Sequence, residues 1–227
     1  MHNIISQLNS VKNRIYAAEK ANNLPRDSIR LLAVSKMKPA EAIIAAYDGG
    51  QRDFGENYLQ HALPKIEELK YLDGIQWHFI GPLQSNKTKA VAENFHWIHS
   101  IDRLKIASRL NEQRPDYMPS LNICLQVNVS GEQSKSGMAV SDAESLAQKI
   151  TALPNLNLRG LMTIPAATAD NAELLKQFGI LKNCFDDLRQ KGFDIDTLSM
   201  GMSADLETAV ASGSNMVRVG TAIFGAR

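Results

Sequence analysis

The stretch RLLAVSKMKPAEAIIAAYDGG, residues 30–50, reads as one strand, one helix and a stop. Arg30–Lys36 is a short apolar run of the kind a buried strand needs. Pro39–Tyr47 opens with proline, which is tolerated at the first helical position because its missing N–H would have no partner there. The pattern then gives out before Gly49 and Gly50. The same unit recurs along the chain. Further strand candidates are Arg52–Glu56, Gln76–Gly81, His96–Asp102, Leu121–Val129, Leu158–Thr163, Thr197–Gly201 and Met216–Phe224. Their mean spacing, about 26 residues, is what a strand, a loop and a crossover helix occupy. Helical stretches fill the gaps: Tyr58–Leu69 with Pro64 as a local irregularity, Asp102–Asn111 with Asp102 as N-cap, Ser141–Leu153, Ala172–Lys191, and Ser203–Ala211 with Ser203 as N-cap. Ile4, Ile5, Leu8, Val11, Ile15 and Ala18 recur at helical spacing ahead of the first strand. Eight strand–helix units after one extra helix predict an α/β fold, a single (β/α)8 TIM barrel with an extra N-terminal helix over residues 1–227. A doubly wound open sheet is the alternative.

Composition narrows the function. Hydrophobic residues are 44% and charged residues 22%, so the chain has the makings of a folded core. Lysine plus arginine is 25 and aspartate plus glutamate 24, a net charge of +1 without basic runs. A nucleic-acid partner is therefore not expected. No stretch approaches the roughly 18–20 apolar residues that span a bilayer, and the first residues lack the pattern of a secretory signal. A cytoplasmic protein is expected, with Cys124 and Cys184 as reduced packing thiols and no metal site.

A barrel puts its chemistry at the C-terminal ends of the strands, with phosphate sites often after strands seven and eight. Strand one ends in Lys36, which shares a face with Leu32 and Val34 if the period is two. Partial desolvation at the mouth would make its amine a better nucleophile, as a Schiff-base lysine needs; a lysine fraying into solvent is the plain alternative. Arg218 lies between two valines in strand eight and needs an anionic partner, either a neighbouring carboxylate or a ligand. Gly220 and Thr221 follow it with an open amide and a hydroxyl. The turn SMGMSADLE, residues 199–207, offers amides near Gly201 and the Ser203 hydroxyl on the same side of the barrel. Asn57 follows strand two, and His78 sits inside an apolar strand as either a bonded core residue or a catalyst. An amine and a phosphate cradle at one mouth suit a ligand with a carbonyl and a phosphate. Pyridoxal 5′-phosphate fits that description, and so does a sugar phosphate in a Schiff-base aldolase.

Seven blocks carry a resemblance. They are AVSK around Lys36, FGENY at 54–58, WHFIGPLQSNK at 77–87, SKSGM at 134–138, GLMTI at 160–164, LSMGMSADLETAV at 198–210 and VRVGTAIFGAR at 217–227. In these the chain resembles the pyridoxal-phosphate homeostasis family, small proteins related to the barrel of alanine racemase (fold type III). The resemblance implies a pyridoxal-phosphate-binding protein with the cofactor as a Schiff base on Lys36. Ser203, Gly220, Thr221 and the amides near Gly201 would hold the phosphate. Arg218 would lie near the ring nitrogen or the phosphate, and Asn57 and His78 would line the pocket. Met37 stands where a threonine is common and is expected to face the helices. Lys135 reads as either a solvated loop lysine or part of a second site. The racemases add a second domain and a further acid/base; neither is evident here. The expected role is storage, buffering or delivery of the cofactor within vitamin B6 and amino-acid homeostasis, as a monomer, with apo-enzymes as recipients. A low-activity racemase or decarboxylase is the alternative.

Overall fold

The computed structural model describes residues 2–132, 135–166, 168 and 170–226, so Ser134 of the SKSGM block and Arg227 of the last block lie outside it. Among the described residues, eight parallel strands close into a barrel in chain order. They are β1 Arg30–Val34, β2 Asp53–Glu56, β3 Gln76–Phe79, β4 Trp97–Ile101, β5 Leu121–Gln126, β6 Leu156–Met162, β7 Thr197–Ser199 and β8 Met216–Val219. Closure comes from β8 against β1, with Leu32 opposite Arg218. The helices are α1 His2–Ala21, α2 Ala40–Asp48, α3 Leu59–Glu68, α4 Thr88–Asn94, α5 Leu104–Gln113, α6 Ala143–Thr151, α7 Asn171–Gln190, α8 Leu206–Ala211 and α9 Thr221–Phe224. The expected barrel and its extra first helix are both present. Helix α1 packs on α2, α8 and α9, so it completes the ring of helices over the β8–β1 seam. Among the described residues no helix is long and apolar enough to cross a membrane.

Two apolar layers follow from the strand period. Outward residues such as Phe54, Ile98 and Val217 pack beneath the helices. Inward residues Leu32, Trp97, Cys124, Met162 and Met216 form a smaller cluster in the lumen. Cys124 and Cys184 are free thiols, and burial raises them to about 12 and about 11.

Several boundaries differ from expectation, each for a local reason. β8 stops at Val219, and Thr221–Phe224 is helical rather than strand; Ile223 and Phe224 are buried in a turn that packs on α1. An apolar run that short suits either element. Asp102 does not cap α5. The helix begins at Leu104, and Asp102 pairs with Arg103 at 2.9 Å instead. Ser203 does not cap α8 either, because Asp205 takes the Met202 N–H and folds residues 202–205 into a turn before the helix starts. Helix α3 runs unbroken through Pro64, which lies on its exposed side.

Candidate functional site

Each strand hands over to its loop at one end of the barrel, and a cavity of about 420 Å³ opens there. Val34 and Lys36 enter it from β1, Ile80 and Pro82 from the loop after β3, and Ile164 from beyond β6. The turn after β7 adds Met202 and Ser203, and β8 adds Arg218, Gly220 and Thr221. Of the residues singled out in the sequence, Lys36, Asn57, Ser203, Arg218, Gly220 and Thr221 all line this space.

His78 and Gly201 do not. The His78 ring is fully buried deeper in the lumen, 2.9 Å from both Asp53 and His99. Ile80, two residues further on, packs on the lumen cluster and lines the cavity. Gly201 is buried behind the wall at φ +95°, where an added Cβ would come within 2.4 Å of the Ala209 methyl. Its carbonyl accepts from the Arg218 N–H at 3.0 Å, so it supports the wall. Lys135 lies apart from the cavity, its N–H bonded to Glu132 O at 3.1 Å.

The lining is cationic. Lys36, Lys38 and Arg218 face it, and no carboxylate does among the described residues. Arg218 resolves its question in an unexpected way. Its Nη1 donates to Ser199 O at 2.7 Å and Ser199 Oγ at 2.9 Å, and its Nη2 to Thr163 O at 2.7 Å. These acceptors are neutral, and none is a carboxylate. Burial lowers its pKa to about 10, opposed by the Asp205 charge, so it stays protonated at neutral pH.

Sequence reasoning missed two supports. Lys38 lines the cavity and donates to Ala226 O at 2.9 Å, tying the turn after β1 to the C-terminal segment. Lys65, on the inner face of α3, is buried. Its Nζ donates to Ser35 O at 3.1 Å, Lys38 O at 3.2 Å and Glu56 Oε1 at 2.5 Å, and the Ser35 hydroxyl donates to the same oxygen at 2.6 Å. The carbonyls it grips flank Lys36, so one buried ion pair fixes the turn that carries the lysine. Within that turn Met37 takes φ 62° and is 54% exposed. It faces solvent and not the helices, because the turn reverses the chain there.

On the far side, Gly81 allows the loops after β2 and β3 to touch. A Cβ there would lie 2.2 Å from Asn57 O. Asn57 Oδ1 is buried and has no bonded partner among the described residues. Ser203 Oγ accepts from Ala222 N at 3.4 Å, joining the turn after β7 to α9.

Known proteins match this chain in sequence and fold. The family model for the alanine racemase N-terminal domain matches residues 8–227. The pyridoxal phosphate homeostasis protein of Pseudomonas aeruginosa is 54% identical over 227 residues, covering 100% of this chain and 97% of that one. The protein of that name from Escherichia coli is 50% identical over 232 residues, with 100% and 98% covered. The structure of PipY from Synechococcus elongatus with PLP bound superposes with a TM-score of 0.85 at 37% identity, covering 98% of this chain and 100% of that one. Alanine racemase from Clostridium difficile shares the fold alone, with a TM-score of 0.77 at 17% identity over 100% of this chain and 57% of that one. By matched length and by identity, the chain belongs to the family of pyridoxal phosphate homeostasis proteins, within the wider family of the alanine racemase N-terminal domain.

Proposed function

We propose that this chain binds pyridoxal 5′-phosphate in the barrel-mouth cavity with Lys36 as its covalent anchor. In this reading it stores and buffers the cofactor and delivers it to apo-enzymes, sustaining vitamin B6 and amino-acid homeostasis. The observation that carries the reading is the meeting of an amine, Lys36, with Ser203, Gly220 and Thr221 in one cationic cavity. The residues fit the group. The hydroxyls and the open backbone at Gly220 suit a phosphate, Lys38 and Arg218 balance its charge, and Val34, Ile80 and Pro82 offer apolar surface to a ring. When bound, the cofactor supplies an aldehyde carbon and a conjugated ring. A ring nitrogen set against Arg218 would stay unprotonated, since a guanidinium donates and does not accept, and such a ring is a weak electron sink.

Carrying is favoured over turnover by what lines the cavity. A racemase or decarboxylase needs a second acid/base near the reacting carbon; besides Lys38, whose amine is bonded to Ala226 O, no tyrosine, cysteine, histidine or carboxylate lines the space among the described residues.

Borohydride reduction after incubation with pyridoxal 5′-phosphate, followed by peptide mapping, is expected to place a pyridoxyl-phosphate mass on the Lys36 peptide. Lys36→Ala should abolish it. An unlabelled wild-type protein in excess cofactor would refute the reading and point to a sugar phosphate instead. Transfer of the cofactor to an apo-enzyme without isotope exchange at amino-acid α-carbons would separate carrier from enzyme. Gly81→Ala is expected to push the Asn57 loop outward and weaken cofactor binding by about tenfold. Fluorescence titration would check it, with circular dichroism showing an intact fold.

A further inference from the structure

Below the cavity a row of polar side chains crosses the lumen from the barrel floor to Arg218. Asp53 Oδ1 lies 2.9 Å from His78 Nε2. His78 Nδ1 lies 2.9 Å from His99 Nε2. His99 Nδ1 lies 3.2 Å from Ser199 Oγ, which receives Arg218 Nη1 at 2.9 Å. His78, His99 and Ser199 are fully buried. The His78 ring is held flat against Trp97, with centroids 5.3 Å apart and planes 9° from parallel.

The chemistry of the two ends assigns every proton between them. Burial pushes the Asp53 carboxyl up, but hydrogen bonds from His78 and Arg30 outweigh it and leave the group below its usual range. It is ionised and can only accept. Arg218 can only donate. Burial, partly opposed by Asp53, lowers His78 to about 4, and burial also holds His99 well below 6.5, so each ring carries one N–H at neutral pH. His78 Nε2–H must then donate to Asp53, which leaves its Nδ1 as an acceptor. His99 must present Nε2–H to that nitrogen, and its own Nδ1 must accept. The Ser199 hydroxyl fills that role and takes the Arg218 N–H in turn. No link can be reversed without placing two donors or two acceptors face to face.

We propose that Asp53, His78, His99 and Ser199 are positioning residues that form a hydrogen-bond relay of one sense, fixing Arg218 toward the ligand cavity from the barrel floor. Such chains polarise and strengthen one another in a buried setting. The guanidinium is also pinned by Ser199 O and Thr163 O, so only its remaining N–H groups turn to a ligand. That this grip serves pyridoxal 5′-phosphate rests on the reading above; the order of the protons does not.

The test uses ligand-free full-length protein with isotope-labelled histidine and long-range proton–nitrogen correlation spectra. His78 and His99 should both show a protonated Nε2 and a bare Nδ1. Asp53→Asn and Ser199→Ala should each keep this pattern, because either end alone fixes the order and an asparagine oxygen can still accept from His78. The double variant should show mixed tautomers on both rings. In a merely local arrangement each single variant would change the ring next to it. Ser199→Ala should also weaken pyridoxal 5′-phosphate binding by about tenfold, since it removes one hydrogen bond to Arg218. A protonated Nδ1 on either ring of the wild type or of a folded single variant, or an unmixed wild-type pattern in the folded double variant, overturns the relay. A wild-type protein that takes up no cofactor counts against the cofactor reading alone, since the spectra are read without it.

Discussion

Lys65→Met is expected to destabilise the fold by about 3–5 kcal/mol, the usual effect of removing one member of a buried ion pair. Glu56 is fully buried and keeps one carboxylate oxygen without a partner among the described residues. Without Lys65, the Ser35 hydroxyl is the remaining bonded partner of its other oxygen. A carboxylate left so exposed to a low dielectric is costly, whereas the methionine itself packs well. Urea unfolding at neutral pH would measure the loss, and a change under about 1 kcal/mol would show that the pair is not structural. Lys65→Met combined with Glu56→Gln should recover part of it, because the charge that had no partner is gone. The single variant should also bind pyridoxal 5′-phosphate poorly at temperatures where it remains folded. Its lost bonds to Ser35 O and Lys38 O free the turn on both sides of Lys36.

Acid should weaken the protein well above the pH at which carboxylates titrate. Burial depresses His78 from 6.5 to about 4, against the pull of Asp53, and His99 is depressed in the same direction. Below pH 6.5 the unfolded chain takes up a proton at each of these histidines, while the folded chain refuses one. Stability is therefore fully present above about pH 6.5 and drains away as the pH falls toward 4. For His78 the loss amounts to about 3 kcal/mol. Urea midpoints measured from pH 7.5 to 4.5 should fall steadily, and His78→Gln should flatten the curve. A wild-type midpoint unchanged across that window would mean that the lumen histidines are charged or solvated in the folded state.

Strand number, barrel closure and the position of Lys36 and Arg218 could be read from the chain because each rests on a short local pattern. Leu32, Val34 and Lys36 share a face by the period of a strand, and that face does point inward. Arg218 between two valines was visible as a buried cation, yet its acceptors were not, since Ser199 O and Thr163 O are backbone atoms supplied by other strands. Lys65 looked like one more polar residue on an amphipathic helix. Its burial depends on Glu56, which reaches it only after β2 and α3 pack together. His78 appeared as a lone histidine because His99 lies on the next strand. The parallel pairing of β3 with β4, with His78 opposite Trp97, brings the two rings together. Both stand on inward positions of adjacent strands, and that parity is the signal that could have found the pair. The short helices α4 and α9 lacked enough periodicity to announce themselves.

The bond between β1 and β8 joins strands from near opposite ends of the chain. For a chain emerging from a ribosome, this pairing forms late and is the slowest kind to form, because the seven strands before β8 must emerge before it closes. Until β8 has emerged, β1 waits with an open edge of the sort that invites association with other chains. The ligand cavity waits as well, since Lys36 arrives early and Arg218 late. A nascent chain thus has no complete cavity until β8 emerges, and the event that completes the cavity also removes the open edge of β1.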